Sequence, residues 1–90
     1  MARLKCLILG ASGLVGQRLQ QRLQHHPLFE IVAVAGSQAT AGRKLSELEW
    51  RLDDGQPDLP NLTVLDVNSP DLVENITKLD IKIAFSALPS

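Results

Sequence analysis

Three evenly spaced glycines are the residues in this chain best suited to chemistry. Gly10-Ala11-Ser12-Gly13-Leu14-Val15-Gly16 follows directly on the apolar run Leu4-Lys5-Cys6-Leu7-Ile8-Leu9. A strand, a glycine turn and a helix start, in that order, build a pocket for a phosphate. Glycine lets the backbone turn sharply with no Cβ in the way. The helix then begins with unpaired N–H groups and the positive end of its dipole facing the turn, where a pyrophosphate can sit. The spacing G-x-x-G-x-x-G is a variant of the dinucleotide fingerprint, which makes Gly10, Gly13 and Gly16 cofactor-binding candidates. A tight strand-to-helix turn that holds no ligand is the competing reading, and the context on both sides of the triplet favours the nucleotide.

The elements around the triplet alternate. Residues 4–9 read as a buried strand. Residues 14–26 read as a helix with Val15, Leu19 and Leu23 inward, stopped by Pro27. Ile31-Val32-Ala33-Val34-Ala35 is a second strand, and residues 43–50 hold a short helix with Leu45 and Leu48 inward. Residues 51–61, with Asp53-Asp54-Gly55 and two prolines, form a loop. Leu62-Thr63-Val64-Leu65 is a third strand. Ser69 caps the next helix, with Pro70 at its first position, and that helix runs to about residue 78. Ile81-Lys82-Ile83-Ala84-Phe85 is a fourth strand. Such alternation implies an α/β, Rossmann-like parallel sheet of four strands in order 3-2-1-4, with helices on both faces, truncated after strand four. The order reverses between strands one and four, and ligands bind in the crevice beyond the carboxyl ends at that point. The glycine loop leaves strand one there, and Ser86-Ala87-Leu88-Pro89-Ser90 leaves strand four there. Ser86, Leu88 and Pro89 join the cofactor-binding candidates.

The segment after strand two selects the nucleotide. An NAD site places Asp or Glu at the end of that strand to bond the ribose hydroxyls. Here the chain reads Ala35-Gly36-Ser37-Gln38-Ala39-Thr40, with no acid. Glu30 has about the nominal spacing of 20 residues from Gly10, but it opens the strand. Six residues at roughly 3.3 Å each carry it to the far side of the sheet. Ser37 and Thr40 offer hydroxyls, and Arg43 and Lys44 offer positive charge, a set that suits a 2′-phosphate. NADP is the expected cofactor, against a plain polar loop with surface cations as the alternative.

The loop 10–18, His26-Pro27-Leu28-Phe29-Glu30, Ala41-Gly42-Arg43-Lys44 and Phe85-Ser86-Ala87-Leu88-Pro89-Ser90 together resemble the N-terminus of aspartate-semialdehyde dehydrogenase, most closely its archaeal and fungal branch. The resemblance runs through essentially the whole chain, and the Phe-Ser-Ala-Leu-Pro-Ser ending is its most discriminating piece. It implies that the glycine loop and the serine after strand two hold NADP, with the segment after strand four lying along the cofactor. Ser12, Gly13, Leu14, Val15, Ser37 and Ser86 take those positions. It also implies a reaction, the reductive dephosphorylation of β-aspartyl phosphate to aspartate semialdehyde in amino-acid biosynthesis, by a cysteine nucleophile and a histidine base far downstream of these residues. One departure matters: where the family often has Arg-Ser before Ala-Gly, this chain has Ala39-Thr40, which removes a bidentate phosphate donor.

Nothing in the chain pairs a nucleophile with a base. Cys6 lies inside the first strand and reads as a core residue. His25 and His26 read as exposed helix-end residues, Trp50 as a packing or hinge-side aromatic, and Asp53 with Asp54 as a solvated turn. No catalytic and no metal-ligating residue is assigned. Residues 1–90 are expected to form one partial dinucleotide-binding domain without its catalytic domain. Net charge is −1 with both signs spread along the chain, which gives no support for a nucleic-acid or anionic-membrane surface. No apolar run is long enough for a bilayer, and one cysteine excludes an internal disulfide, so the cytoplasm is the expected compartment. Strand four, with Ile81, Ile83 and Phe85 poorly covered at an edge, is expected to self-associate or to meet a missing C-terminal catalytic portion. Two further readings stand beside the dehydrogenase. Ala41-Gly42-Arg43-Lys44-Leu45-Ser46-Glu47 also resembles N-acetyl-γ-glutamyl-phosphate reductase, although that family usually has tyrosine where Leu14 stands and histidine where Ser90 stands. A non-enzymatic binding or scaffold module would keep the glycine turn and need no ligand.

Overall fold

Leu4–Leu9 forms β1, and its neighbours on both sides run parallel to it. A computed structural model describes residues 3–52 and 61–87. Among these lie α1 (Leu14–Leu23), β2 (Phe29–Gly36), a 3-10 turn (Leu45–Glu47), β3 (Val64–Asp66), α2 (Asp71–Lys78) and β4 (Ile83–Ser86). The four strands form one sheet in the order β3-β2-β1-β4, the order that the alternation of elements predicts. β1 and β2 lack polar alternation because both of their faces are covered. Cys6, Ile8, Ile31, Val34 and Val64 pack on one face with Leu23 of α1, while Leu7, Ala33 and Ala35 pack on the other with Leu72 and Ile76 of α2. A one-residue bulge makes this work. Cys6 pairs with Ile31 but Leu7 pairs with Ala33, so Val32 is the extra residue. The bulge resets the alternation, and Ile31 and Val34 reach the same core.

The strand bounds shift from the expected ones at three places. β2 is longer and takes in Phe29, Glu30 and Gly36. β3 starts two residues late because Leu62 and Thr63 pair elsewhere. The Leu45 N–H donates to Leu62 O, the Gly42 N–H donates to Val64 O, and the Val64 N–H donates to Arg43 O, at 2.7–2.9 Å. An antiparallel bridge joins Lys44 and Thr63. β4 likewise starts late, because Ile81 closes α2 with its N–H on Ile76 O. Ile83 and Phe85 are half-buried rather than bare, with Phe29 edge-to-face on Phe85 at 5.3 Å. The 3-10 turn replaces the short helix expected over 43–50 and buries Leu45, with Leu48 packed against the core. At the start of α2 Pro70 holds the cap position, one residue later than expected, and Ser69 Oγ accepts the Asp71 N–H at 3.2 Å from just outside it.

α1 departs from its expected pattern. It ends at Leu23, because Gln24 is extended and His25 takes a left-handed φ of 57°. Val15 is 63% exposed, and the buried positions are Gly16, Gln17, Gln20 and Leu23. The face toward the sheet is therefore the 16-20-23 row with Gln17 beside it, one residue round from the stripe that starts at Val15. Two carboxamides can be buried there because each finds backbone partners. His25 is exposed as expected, but His26 is half-buried: its Nδ1 accepts the Leu28 N–H and its ring stacks near Phe29 at 4.9 Å.

Cys6 is fully buried, as its place in the strand implies. Burial pushes its thiol up from the ordinary value, and the Glu30 carboxylate adds to the rise. A thiol held in this form reacts slowly, since the thiolate is the nucleophile. Cys6 should resist iodoacetamide in the native chain at pH 8 and react fully in denaturant, as read by mass spectrometry. Rapid native alkylation would show that the central strand opens.

Candidate functional site

The carboxyl ends of the strands meet at one edge of the sheet. Leu9 stands level with Ala35 on one side and Ser86 on the other, and Gly36 with Asp66 beyond. The chain leaves β1 through Gly10, whose φ of 83° lies in the left-handed region that glycine enters without strain. The Gly10 and Ala11 N–H groups both donate to Ala35 O, at 2.8 and 3.3 Å. This pins the turn to the end of β2. The Ala87 N–H donates to Leu9 O at 2.8 Å, so the segment after β4 leaves beside the glycine loop. Ser86 is exposed there. Leu88 and Pro89 lie outside the described residues, as do Asp53 and Asp54.

The glycines divide their tasks. A Cβ on Gly16 would lie 2.8 Å from both Ala11 Cα and Gly10 C, inside the backbone of the turn. Gly16 is therefore required for the approach of α1 to β1. Gly13 is different. Its φ of −78° and ψ of 169° suit any residue, and a Cβ there would find its nearest neighbour, Gly10 O, at 3.9 Å. The fold does not need glycine at 13, yet a side chain there would cover the amino end of α1. That end carries no side-chain cap and no acid in its first turn. The first helical N–H groups have no intrahelical partners, so they and the helix dipole face an open position suited to an anion.

Two buried glutamines hold this turn. Gln20 Nε2 donates to Ala11 O at 2.9 Å. Gln17 Nε2 donates to Ser12 O at 3.3 Å and to Glu49 O at 2.7 Å, while its Oε1 accepts the Arg51 N–H at 2.9 Å. Gln17 thus ties the glycine loop to the segment 49–51. The apolar row of Val15, Leu19 and Leu23 gives no hint of either glutamine. The signal that finds them is their spacing: 16, 17, 20 and 23 share one helical face, and Gly16 already belongs to the turn.

Ser12, Thr40, Arg43, Glu47, Leu48, Glu49 and Arg51 line a cleft of about 280 Å³. One wall is the glycine loop, another the segment after β2, and the third the segment held by Gln17. Thr40 is in part structural. Its Oγ1 donates to Ser37 O at 3.2 Å and sits where a Cβ on Gly36 would approach to 2.5 Å. Ser37 is exposed at the end of β2 and is not among the residues lining this cleft. Leu14 and Val15 are exposed beside the helix start. Lys44 lies outside the cleft, in the bridge to Thr63. Glu30 is where the strand count places it, at the far end of β2, level with Lys5 and 4.0 Å from Arg3. Asp66, level with Gly36, spends Oδ1 on the Asn68 N–H at 2.9 Å. Trp50 is half-buried and packs in a small gap with Ala11, Gln17 and Leu48. Among the described residues no group of His, Cys, Asp and Glu is placed to hold a metal ion.

Comparison with known proteins agrees with this geometry. Residues 5–90 match the model of the semialdehyde dehydrogenase, NAD binding domain family. Aspartate-semialdehyde dehydrogenase from Methanothermobacter thermautotrophicus is 38% identical over 86 residues, covering 92% of this chain and 23% of that protein. N-acetyl-gamma-glutamyl-phosphate reductase from Ruegeria pomeroyi is 33% identical over 85 residues, covering 94% of this chain and 22% of that protein. Among solved structures, the aspartate semialdehyde dehydrogenase of Candida albicans, crystallised with NADP, superposes with a TM-score of 0.79 at 30% identity. It covers 98% of this chain, which spans 24% of its length.

The division of labour between the glycines is testable by urea denaturation. Gly16→Ala should lose about 2–3 kcal/mol, because the methyl group must displace backbone. Gly13→Ala should lose less than about 1 kcal/mol, the scale of an altered helix cap. Equal losses would contradict the assignment.

Proposed function

This chain belongs to the semialdehyde dehydrogenase NAD-binding domain family, and we propose that it is the NADP-binding part of an oxidoreductase of that family. The reaction assigned to the whole enzyme is the reductive dephosphorylation of β-aspartyl phosphate to aspartate semialdehyde. The observation that carries the cofactor reading is the amino end of α1, uncapped and bare at Gly13, opening beside a cleft that contains Arg43. The N–H groups of residues 14–16 would hold the pyrophosphate. Arg43 would meet the 2′-phosphate, with Ser37 beside it at the end of β2. No acid stands at the end of β2 to bond a ribose diol, which supports NADP over NAD. Ser86 and the residues after it would border the nicotinamide half, because they leave the sheet next to the glycine loop. NADPH supplies a hydride when bound; the residues of this chain bind and orient it. Exposed Leu14 and Val15 would border the pyrophosphate at the helix start.

The reductase of N-acetyl-γ-glutamyl phosphate is a second reading, supported by the match to the Ruegeria protein. Both substrates are acyl phosphates, so the cofactor half of the site is the same for either. The nucleophile that becomes acylated is assigned outside these residues: Cys6 is fully buried in the core and is not among the residues lining the cleft. We place the protein in the cytoplasm; no described helix is long and apolar enough to cross a membrane. The outer edge of β4 has no partner strand among the described residues. A further strand of the same protein or a second copy would pair there.

Calorimetric titration of the purified chain tests the reading. NADP should bind at least about tenfold more tightly than NAD, the value of one charge-assisted contact, and Gly13→Val should abolish binding of both while the chain stays folded by circular dichroism. Tighter binding of NAD would overturn the 2′-phosphate assignment, and absence of binding by either at millimolar concentration would favour the scaffold reading. In an assay of NADPH formation from aspartate semialdehyde and phosphate the chain alone should show no turnover; measurable turnover would refute the placement of the nucleophile elsewhere.

A further inference from the structure

The cleft holds a second arginine beyond Arg43, on the segment that Gln17 ties to the glycine loop. We propose that Arg51 is a specificity-determining residue, the second guanidinium of the 2′-phosphate site; the proposal rests on the NADP reading above. Three observations place it there. Arg51 and Arg43 line the same cleft, together with Ser12 of the glycine loop and Thr40. The backbone of Arg51 is anchored, since its N–H donates to Gln17 Oε1 at 2.9 Å while the Nε2 of the same carboxamide holds Ser12 O and Glu49 O. The arginine is thus fixed at its backbone to the loop that would carry the pyrophosphate. Its side chain, in contrast, is only loosely engaged. Arg51 Nε lies 3.9 Å from Glu49 Oε2, and the two side chains are 57% and 81% exposed.

An exposed ion pair of that length is worth little and exchanges readily. A phosphate dianion is a stronger acceptor for a guanidinium, which can meet it with two parallel N–H bonds. Residues 37–42 contain no Lys or Arg, so on that wall Arg43 stands alone against a dianion. Arg51 supplies the missing charge from the segment held by Gln17, by leaving Glu49 for the phosphate. Glu47 and Glu49 also line the cleft, and both oppose an anion there. Glu49 is therefore a competitor as well as the resting partner of Arg51. NAD has a neutral hydroxyl at this position and would be indifferent to the exchange.

The prediction has two arms of opposite sign. Titrate the chain, Arg51→Ala and Glu49→Gln with NADP and with NAD by calorimetry. Arg51→Ala should weaken NADP about tenfold and leave NAD within about twofold. Glu49→Gln should strengthen NADP about threefold and leave NAD unchanged, because it frees the arginine and removes a like charge. Both side chains are exposed and both variants should melt as the parent does. If Arg51→Ala weakens NAD and NADP equally, Arg51 merely supports the cleft wall and the proposal is overturned. It is also overturned if NADP affinity does not change. Should the parent chain bind neither nucleotide, the cofactor reading itself fails, a result distinct from either of these.

Discussion

The contact between Gly16 and the turn at Gly10–Ala11 is the constraint on which the rest of the molecule hangs. Only a hydrogen atom fits at that position of α1, so the helix lies against the end of β1 at backbone distance. From this approach the other features follow. The glutamines one and four residues on are drawn beneath the surface, where the exposed carbonyls of the turn are the available acceptors. Gln20 takes Ala11 O and Gln17 takes Ser12 O. A leucine at either place would pack as well against the sheet but would leave those carbonyls without partners, at a cost of about 1–3 kcal/mol each. The turn is thus held from below by side chains and from the side by Ala35 O, with its outer surface left bare. Rigidity beneath and vacancy above are what an anion site made of backbone amides requires.

Much of this was legible in the residues, for reasons that differ by element. β1 and β2 announce themselves because strands covered on both faces are continuously apolar, and the order β3-β2-β1-β4 then follows from the handedness of the crossovers. The glycine loop is legible because its spacing is set by backbone geometry rather than by packing. α1 is legible only in part. Apolar periodicity picks out Val15, Leu19 and Leu23, of which Leu19 and Leu23 do pack on the core, whereas the helix turns glycine and glutamine toward the turn and leaves Val15 in solvent. Periodicity assumes that burial follows hydrophobicity, and it fails where the buried surface is itself polar backbone. The third wall of the cleft was missed for another reason. Residues 47–51 reach the glycine loop through a hydrogen bond spanning 34 positions in sequence, between Gln17 and Arg51. No local pattern encodes such a contact.

The same comparison clarifies how charge is arranged. Basic and acidic residues look evenly scattered along the chain, and the net charge of −1 hides any pattern. In three dimensions both ends of the sheet carry charges of both signs. Arg3, Lys5 and Glu30 cluster at the amino ends of the strands, while the carboxyl ends present the amides of α1 and the arginines of the cleft. At the cleft Arg43 and Arg51 stand with Glu47 and Glu49, so what favours a phosphate there is the set of unpaired amides at the start of α1 and not an excess of cations.

The pairing of residues 42–45 with 62–64 has a consequence for assembly. The outward-facing carbonyls of Leu62 and Val64 and the Val64 amide are already engaged by the chain itself, and Asp66 O is taken by the Ser69 N–H. Among the described residues the β3 margin is therefore largely occupied, and β4 is the margin left open to a further strand. A protein with two open margins can propagate without limit, each copy offering an acceptor edge to the next. The hydrogen bonds that fold a surface loop back onto β3 thus also act as a terminator, occupying one of the two margins at which a sheet of this kind could propagate.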